Sequence, residues 1–166
     1  MGKSLSDWIL QDEAVRKNMK YTFRKCKETD FDFIYDLKEK SFRWYVEKIY
    51  GWEEKVLIEF LKKEMAAHLQ DMNMICYEGN EIGLLTFFYD EKGDACVSTF
   101  AILPEYQRQG IGTQILTHIL EKNKGRRVYL QTFRDNPARK LYERVGFQKY
   151  GETQTHWLME RGRLIS

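Results

Sequence analysis

Only two prolines occur among the 166 residues, and no repeat, low-complexity tract or Ser/Gly-rich linker divides the chain. Cysteine is scarce as well. Cys26, Cys76 and Cys96 are an odd, scattered set without Cys-x-x-Cys spacing. That argues against a disulfide framework or a zinc site, so no metal is expected, and a reducing cytoplasm fits best. No apolar run reaches the length of a membrane span. The first residues lack the apolar core and small-residue cleavage site of a secretory signal. Met1-Gly2-Lys3-Ser4-Leu5-Ser6 formally fits a myristoylation pattern, but it reads better as the start of a helix. An excess of one charge is missing too. The net charge is +2 with no basic block, which leaves no electrostatic footprint for nucleic acid.

What remains is a 43% hydrophobic, 14% aromatic chain, a globular composition long enough for one well-filled core. Residues 1–20 are predicted to form an N-terminal amphipathic helix, with Ser4 and Asp7 at a capping-box-like start. Residues 21–166 then form a single domain. Tyr21 to Cys26 alternates as a strand. Asp30 is placed to cap a helix striped by Phe31, Ile34, Tyr35, Phe42, Tyr45, Val46 and Ile49, which Gly51 ends. A second helix turns Leu57, Phe60 and Leu61 inward. Met74–Tyr77 and Ile82–Tyr89 read as a hairpin, and Ala95–Leu103 as the returning strand. Helix patterns over 111–121 and 138–145, a strand over 127–133 and a terminal strand pair complete the order β, α, α, β, β, β, α, β, α, β, β. This is a mixed α/β sheet with helices on its faces.

The most informative segment is Gln107-Arg108-Gln109-Gly110-Ile111-Gly112, between the strand ending at Leu103 and the helix beginning at Ile111. A glycine loop there gathers backbone N–H groups at the positive end of a helix dipole, a site suited to a pyrophosphate. The segment fits neither the dinucleotide pattern G-x-G-x-x-G nor the P-loop. An ordinary turn is the plain alternative.

About thirty residues further on comes Asn136-Pro137-Ala138-Arg139-Lys140-Leu141-Tyr142-Glu143-Arg144-Val145-Gly146-Phe147. The two segments together resemble the GNAT superfamily, the Gcn5-related N-acetyltransferases, which carry an Arg/Gln-x-x-Gly-x-Gly/Ala loop and an Asn…Leu-Tyr-x-x-x-Gly-Phe helix ending. The specific motifs cover residues 95–147, and the element order extends the resemblance over nearly the whole chain. It implies a GNAT fold with a mostly antiparallel central sheet flanked by helices, here with the extra N-terminal helix. It also implies acetyl-CoA as cosubstrate and transfer of its acetyl group to an amine by direct attack in a ternary complex.

On that resemblance, the backbone of Phe100, Ala101 and Ile102 pairs with the pantetheine arm, which requires a bulge and a splay between neighbouring strands. Arg108, Gln109, Gly110, Ile111, Gly112 and Thr113 surround the pyrophosphate. Arg108 is otherwise a solvated loop charge. Tyr142 stands near the sulfur as acid for the leaving thiolate, or else only packs in the stripe of Ala138, Leu141 and Val145. Asn136 caps the helix, faces the cofactor, or both. Its spacing to Tyr142 is one residue shorter than in many family members, which bears on where Asn136 points.

No general base stands out. Gln131 occupies the place where some relatives carry a glutamate and cannot take a proton, though it can order a water. Asp90 and Glu105 are weak candidates, and a water chain is the default. His118 is read as facing outward, His68 lies near a helix end, and His156 belongs to the last strand pair, where it can face the cleft. The aromatic segment 42–54 forms either a lid over an apolar or cationic amine or simple helix packing. Trp157 and Tyr89 are equally open. The acceptor is expected to be a small-molecule or protein amine, and the protein a monomer or homodimer. A non-catalytic acetyl-CoA-binding or partner-binding module of the same fold, transfer of a longer acyl group, and an unrelated nucleotide-binding α/β protein are the alternatives.

Overall fold

The structure is a computed structural model that describes residues 20–163. The amphipathic helix expected over 4–19 lies outside the described residues. From Tyr21 onward the elements follow the expected order. They are β1 (Tyr21–Lys25), α1 (Phe31–Tyr50), α2 (Glu54–His68), β2 (Met72–Tyr77), β3 (Asn80–Tyr89) and β4 (Ala95–Ile102). After these come α3 (Ile111–Lys122), β5 (Val128–Phe133), α4 (Ala138–Val145), β6 (Gln148–Glu152) and β7 (His156–Arg161).

The strands form one seven-stranded sheet in the order β1-β2-β3-β4-β5-β7-β6. Every neighbouring pair is antiparallel except β4–β5. Alternation along the strands sends side chains to opposite faces, so each face carries its own core. Met72, Met74, Leu84 and Ala101 pack with Ile34, Leu37, Leu61 and Met65 of α1 and α2. On the other face, Ile75, Leu85, Phe87 and Val97 pack with Ile111, Ile115, Ile119 and Tyr142 of α3 and α4. The result is three layers, with the sheet between two helical pairs.

Three local expectations are corrected. Asp30 does not cap α1. Its carboxylate accepts from both Arg24 nitrogens at 2.9 and 2.8 Å and from the Lys27 N–H at 2.8 Å. The guanidinium therefore holds Asp30 below the usual carboxylate range and pins the short turn between β1 and α1. Ile49 is exposed; the fully buried residues of α1, Ile34 and Leu37, lie in its first half. Phe60 is 66% exposed rather than inward. Its neighbour Leu61 takes the buried position on α2.

One close approach inside the sheet admits no side chain. A Cβ on Gly83 would lie 2.4 Å from the Ala101 carbonyl oxygen, a backbone atom of the neighbouring strand. Gly83→Ala should therefore force β3 from β4 and destabilise the fold by about 1–3 kcal/mol, read as a lower denaturation midpoint at unchanged m-value.

Candidate functional site

The site begins with a defect in the sheet. Between β3 and β4 the register slips at Thr86/Phe87: Thr86 pairs with Thr99, but Phe87 pairs with Val97, so Ser98 is the extra residue of a bulge. On its other side, β4 keeps company with β5 only at Ala95–Val128, Cys96–Tyr129 and Val97–Leu130. Beyond those pairs the two parallel strands part, and residues 98–102 face a gap.

Strand alternation decides which backbone groups enter that gap. Leu103 donates to Ile82 O at 2.8 Å, which fixes the parity of the β3–β4 ladder. Ala101 shares this parity, and its carbonyl oxygen lies against Gly83. Phe100 and Ile102 have the opposite parity, so their N–H and C=O groups point away from β3, toward the parted side. The expectation that Phe100, Ala101 and Ile102 all offer backbone to a pantetheine arm is thus narrowed. Ala101 is engaged in the ladder, and the Ile102 carbonyl already accepts from Gln107 Nε2 at 2.8 Å. The Phe100 N–H and C=O and the Ile102 N–H remain directed into the gap.

The glycine loop lies at the end of the gap. Arg108 has φ +62° and Gly110 φ +83°, two left-handed residues that turn the chain sharply into α3. Gly110 occupies the N-cap, so the first N–H groups of α3, from Ile111, Gly112 and Thr113, lack helical partners and gather at one point. The side chains of this loop do other things. Gln109 donates to Glu105 O at 3.1 Å, Ile111 is buried in the core, and Arg108 is exposed. At Gly112 a Cβ would make only ordinary contacts, with the Leu141, Ile102 and Phe100 side chains at 3.4–3.8 Å.

Tyr142 lies on α4 with 7% of its surface accessible. Its ring stands edge-on to Phe147, with centroids 5.9 Å apart. Among the described residues none hydrogen-bonds its hydroxyl, and burial pushes the phenol up to about 12. Tyr142 belongs to the core and also lines a cavity of about 740 Å³. Asn136 lines the same cavity, and its Oδ1 accepts from the Ala138 N–H at 2.9 Å, securing the first turn of α4.

That cavity opens from the parted strands toward α1 and α2. Val97 to Phe100 and Leu130 to Phe133 form its floor. Phe42, Val46, Trp52, Leu57 and Phe60 form an apolar roof. Tyr45 stacks on Phe133 at 5.3 Å with ring planes 12° apart, which ties α1 to β5. The aromatic segment is therefore both helix packing and cavity wall. Two features escaped the sequence reading. One is Ser98, although Ser98-Thr99 interrupts an otherwise apolar strand. The other is a Lys38–Glu64 ion pair at 2.6 Å that bridges α1 and α2 in the cavity wall; only the fold brings those residues together.

The remaining candidates separate clearly. Asp90 accepts from the Tyr129 hydroxyl and from the Lys92 and Asp94 N–H groups, each at 2.9 Å, and belongs to a turn outside the cavity. Glu105 does not line the cavity either, whereas Gln131, His68 and His156 do. His118 is half-buried rather than outward. Tyr89 donates to Asn123 at 2.9 Å. Trp157 lies under Arg139 and Lys149, with their charged groups 4.8 and 4.5 Å from its ring.

A bulged strand, a parted parallel pair and a glycine turn into the next helix define the class: this is the GNAT fold. Residues 70–149, close to half of the chain, match the family model described as an acetyltransferase (GNAT) domain. The chain therefore has the GNAT fold, and its stretch 70–149 carries the sequence pattern of that acetyltransferase domain. Over 56 residues it is 43% identical to N-alpha-acetyltransferase RimI of Mycobacterium tuberculosis (strain ATCC 25618 / H37Rv); that stretch is 33% of this chain and 35% of the relative, so the match spans about a third of the relative's length. Among solved structures, the PaiA N-acetyltransferase of Thermoplasma acidophilum in complex with coenzyme A superposes with TM-score 0.64 at 17% identity, over 87% of this chain and 99% of that one. The spermidine N-acetyltransferase of Vibrio cholerae, in complex with CoA and spermine, gives TM-score 0.65 at 21% identity, over 88% and 97%. At such identities these two likenesses speak for the fold alone. No helix among the described residues is long and apolar enough to cross a membrane.

The two loop glycines should respond differently to a methyl group. Gly110→Ala places a Cβ in a left-handed position and should cost about 1–2 kcal/mol. Gly112→Ala meets only ordinary contacts in a helix and should cost no more than about 0.5 kcal/mol. Thermal denaturation of the pair against the parent protein checks this.

Proposed function

We propose that the protein is an acetyl-CoA-dependent N-acetyltransferase that acts on a primary amine of a small-molecule or protein acceptor. The observation that carries this reading is the parting of β4 from β5 beyond Val97–Leu130, in the wall of the cavity that Tyr142 also lines. A sheet normally closes such a gap with its own hydrogen bonds, because buried backbone groups without partners are costly. Here Phe100 and Ile102 present a short edge on which an amide-bearing arm pairs as an extra strand. The N–H groups of Ile111, Gly112 and Thr113 then meet a diphosphate at the helix N-terminus.

With the arm so held, the thioester lies beside Tyr142 and faces the aromatic cavity that receives the amine. The amine attacks the carbonyl carbon, the N–C bond forms and the C–S bond breaks. A thiol titrates near 8.5 in water, well below a phenol at about 12. Tyr142 therefore acts by donating a hydrogen bond to the departing thiolate, not by permanent loss of its proton. The walls fit an acceptor with an apolar body, since Glu64, the one carboxylate among the described residues that line the cavity, is held by Lys38. The amine reacts directly in a ternary complex. Cys26, Cys76 and Cys96 are free thiols that burial pushes upward, away from the thiolate an acyl-enzyme would need. Free thiols also fit the reducing cytoplasm.

Calorimetric titration with acetyl-CoA, CoA and ADP in parallel tests the cofactor assignment. Acetyl-CoA should bind one site clearly more tightly than ADP. Equal affinity would remove the pantetheine edge and with it the acetyl-transfer reading. Gly110→Asp should abolish this binding, since it sets a carboxylate beside the diphosphate. Tyr142→Phe should lower kcat about a hundredfold while acetyl-CoA affinity stays unchanged. Because the phenol does not titrate in the working range, the limbs of the pH–rate profile between pH 6 and 9 should stay where they are in the parent protein.

A further inference from the structure

An amine acceptor arrives mostly as its ammonium ion, since simple amines titrate near 10, so the proposed function requires a proton acceptor within the cavity. Gln131, exposed on the floor, has no titratable proton, and the two carboxylates named from sequence lie outside. The titratable groups that do line the cavity can be taken in turn. Lys38 and Lys63 are cations. Tyr35 and Tyr142 are phenols pushed up by burial. Glu64 is committed to Lys38 at 2.6 Å. His68 stacks on Phe88 at 6.4 Å, with its Nδ1 3.9 Å from Asp71, and belongs to the far end of α2. His156 remains.

We infer that His156 is the general base of this site, accepting the ammonium proton of the acceptor on Nε2. Three features of its setting support this. Its strand, β7, pairs with β5 so that His156 lies opposite Phe133, the last residue of the parted strand. The two rings lie 4.4 Å apart, which fixes the imidazole plane at the cavity wall. Nδ1 is 2.7 Å from Thr155 Oγ1, a hydroxyl able to accept the Nδ1–H. That hydroxyl is itself positioned by a small turn, in which Thr153 Oγ1 accepts the Thr155 and His156 N–H groups at 3.2 and 2.9 Å. The Nδ1–H tautomer leaves the Nε2 lone pair as the acceptor, and no described residue hydrogen-bonds Nε2.

The surroundings keep the ring neutral. Phe133 and Gln131 of β5 and Thr153 and Thr155 of its own hairpin are uncharged. The charged side chains that follow Phe133 are already engaged: Arg134 donates to Thr153 O at 3.5 Å and pairs with Glu152 at 3.2 Å, and Asp135 pairs with Lys48 at 3.2 Å. Burial is what lowers the imidazole below its ordinary value, so it is unprotonated at neutral pH.

The proton count closes. His156 takes one proton from the ammonium and releases it to solvent. The amine lone pair attacks, the N–C bond forms, and the C–S electron pair leaves on sulfur. The second nitrogen proton passes to the thiolate held by Tyr142. The products are the acetamide, CoA thiol and one proton in solution.

This inference rests on the acetyl-transfer reading, and the test separates the two. The probes are tyramine, spermidine and an alanine-initial peptide, each with acetyl-CoA. For any probe that the parent protein acetylates, kcat/KM should be level from the acid limb of His156, below pH 6.5, up to the amine's own pKa. In His156→Ala and His156→Gln, kcat/KM at pH 7 should fall about a hundredfold or more. It should then climb tenfold per pH unit up to the amine's own pKa, through pH 7–9 for tyramine and spermidine and only to about 8 for the peptide, as the free amine becomes the sole reactant. Acetyl-CoA affinity should be unchanged, and added imidazole should restore turnover to His156→Ala. A level profile in both variants, or a loss confined to KM, would overturn the assignment while leaving acetyl transfer intact. Turnover of none of the probes by the parent protein would overturn the acetyl-transfer reading, and this inference with it.

Discussion

The structure turns on one unsatisfied stretch of backbone. In a complete sheet, β4 would spend both of its edges on neighbouring strands. The extra residue at Ser98 and the parting after Val97–Leu130 leave one edge turned into the interior without a partner strand. Polar backbone in such a place is expensive unless something meets it, so the gap is the most demanding feature of the molecule. The other elements of the site are arranged around it. The glycine turn delivers helix N–H groups to one end, α4 brings Tyr142 alongside, and α1 and α2 roof the remainder with aromatic rings.

The side chains of the loop are used beside the gap rather than in it. The Gln107 amide covers the Ile102 carbonyl. Arg108 adopts a left-handed backbone and projects outward. Under the proposed function, anion recognition falls to main-chain donors, which are fixed in space and carry no rotamer entropy. A geometric device of this kind tolerates many side chains but few backbone changes. Gly110, at φ +83°, is the position with least latitude.

Much of this was legible before any coordinates. Element order, sheet class and the two motif segments could be read because they depend on local periodicity and on turn chemistry, which short stretches encode. The errors fell where distant residues decide. Asp30 looks like a helix cap, yet Arg24, six residues earlier, supplies two charge-assisted bonds that a cap position cannot match. Phe60 fits an inward stripe, but the cavity rather than the core lies beneath it. Ala101 lies in the cofactor strand by motif, whereas strand parity turns its backbone the other way. The Lys38–Glu64 bridge joins residues on separate helices, and no sequence pattern announces such a pair.

The seam at β4–β5 has a mechanical side as well. It divides the sheet into two antiparallel blocks, β1–β4 and β5–β7–β6, whose strands meet in three residue pairs. Whatever fills the seam acts as a rivet between the blocks, and its grip registers as cohesion of the entire chain, growing with the logarithm of its concentration above the dissociation constant. Resistance to heat thus becomes a gauge of occupancy, readable without knowing what else the protein binds.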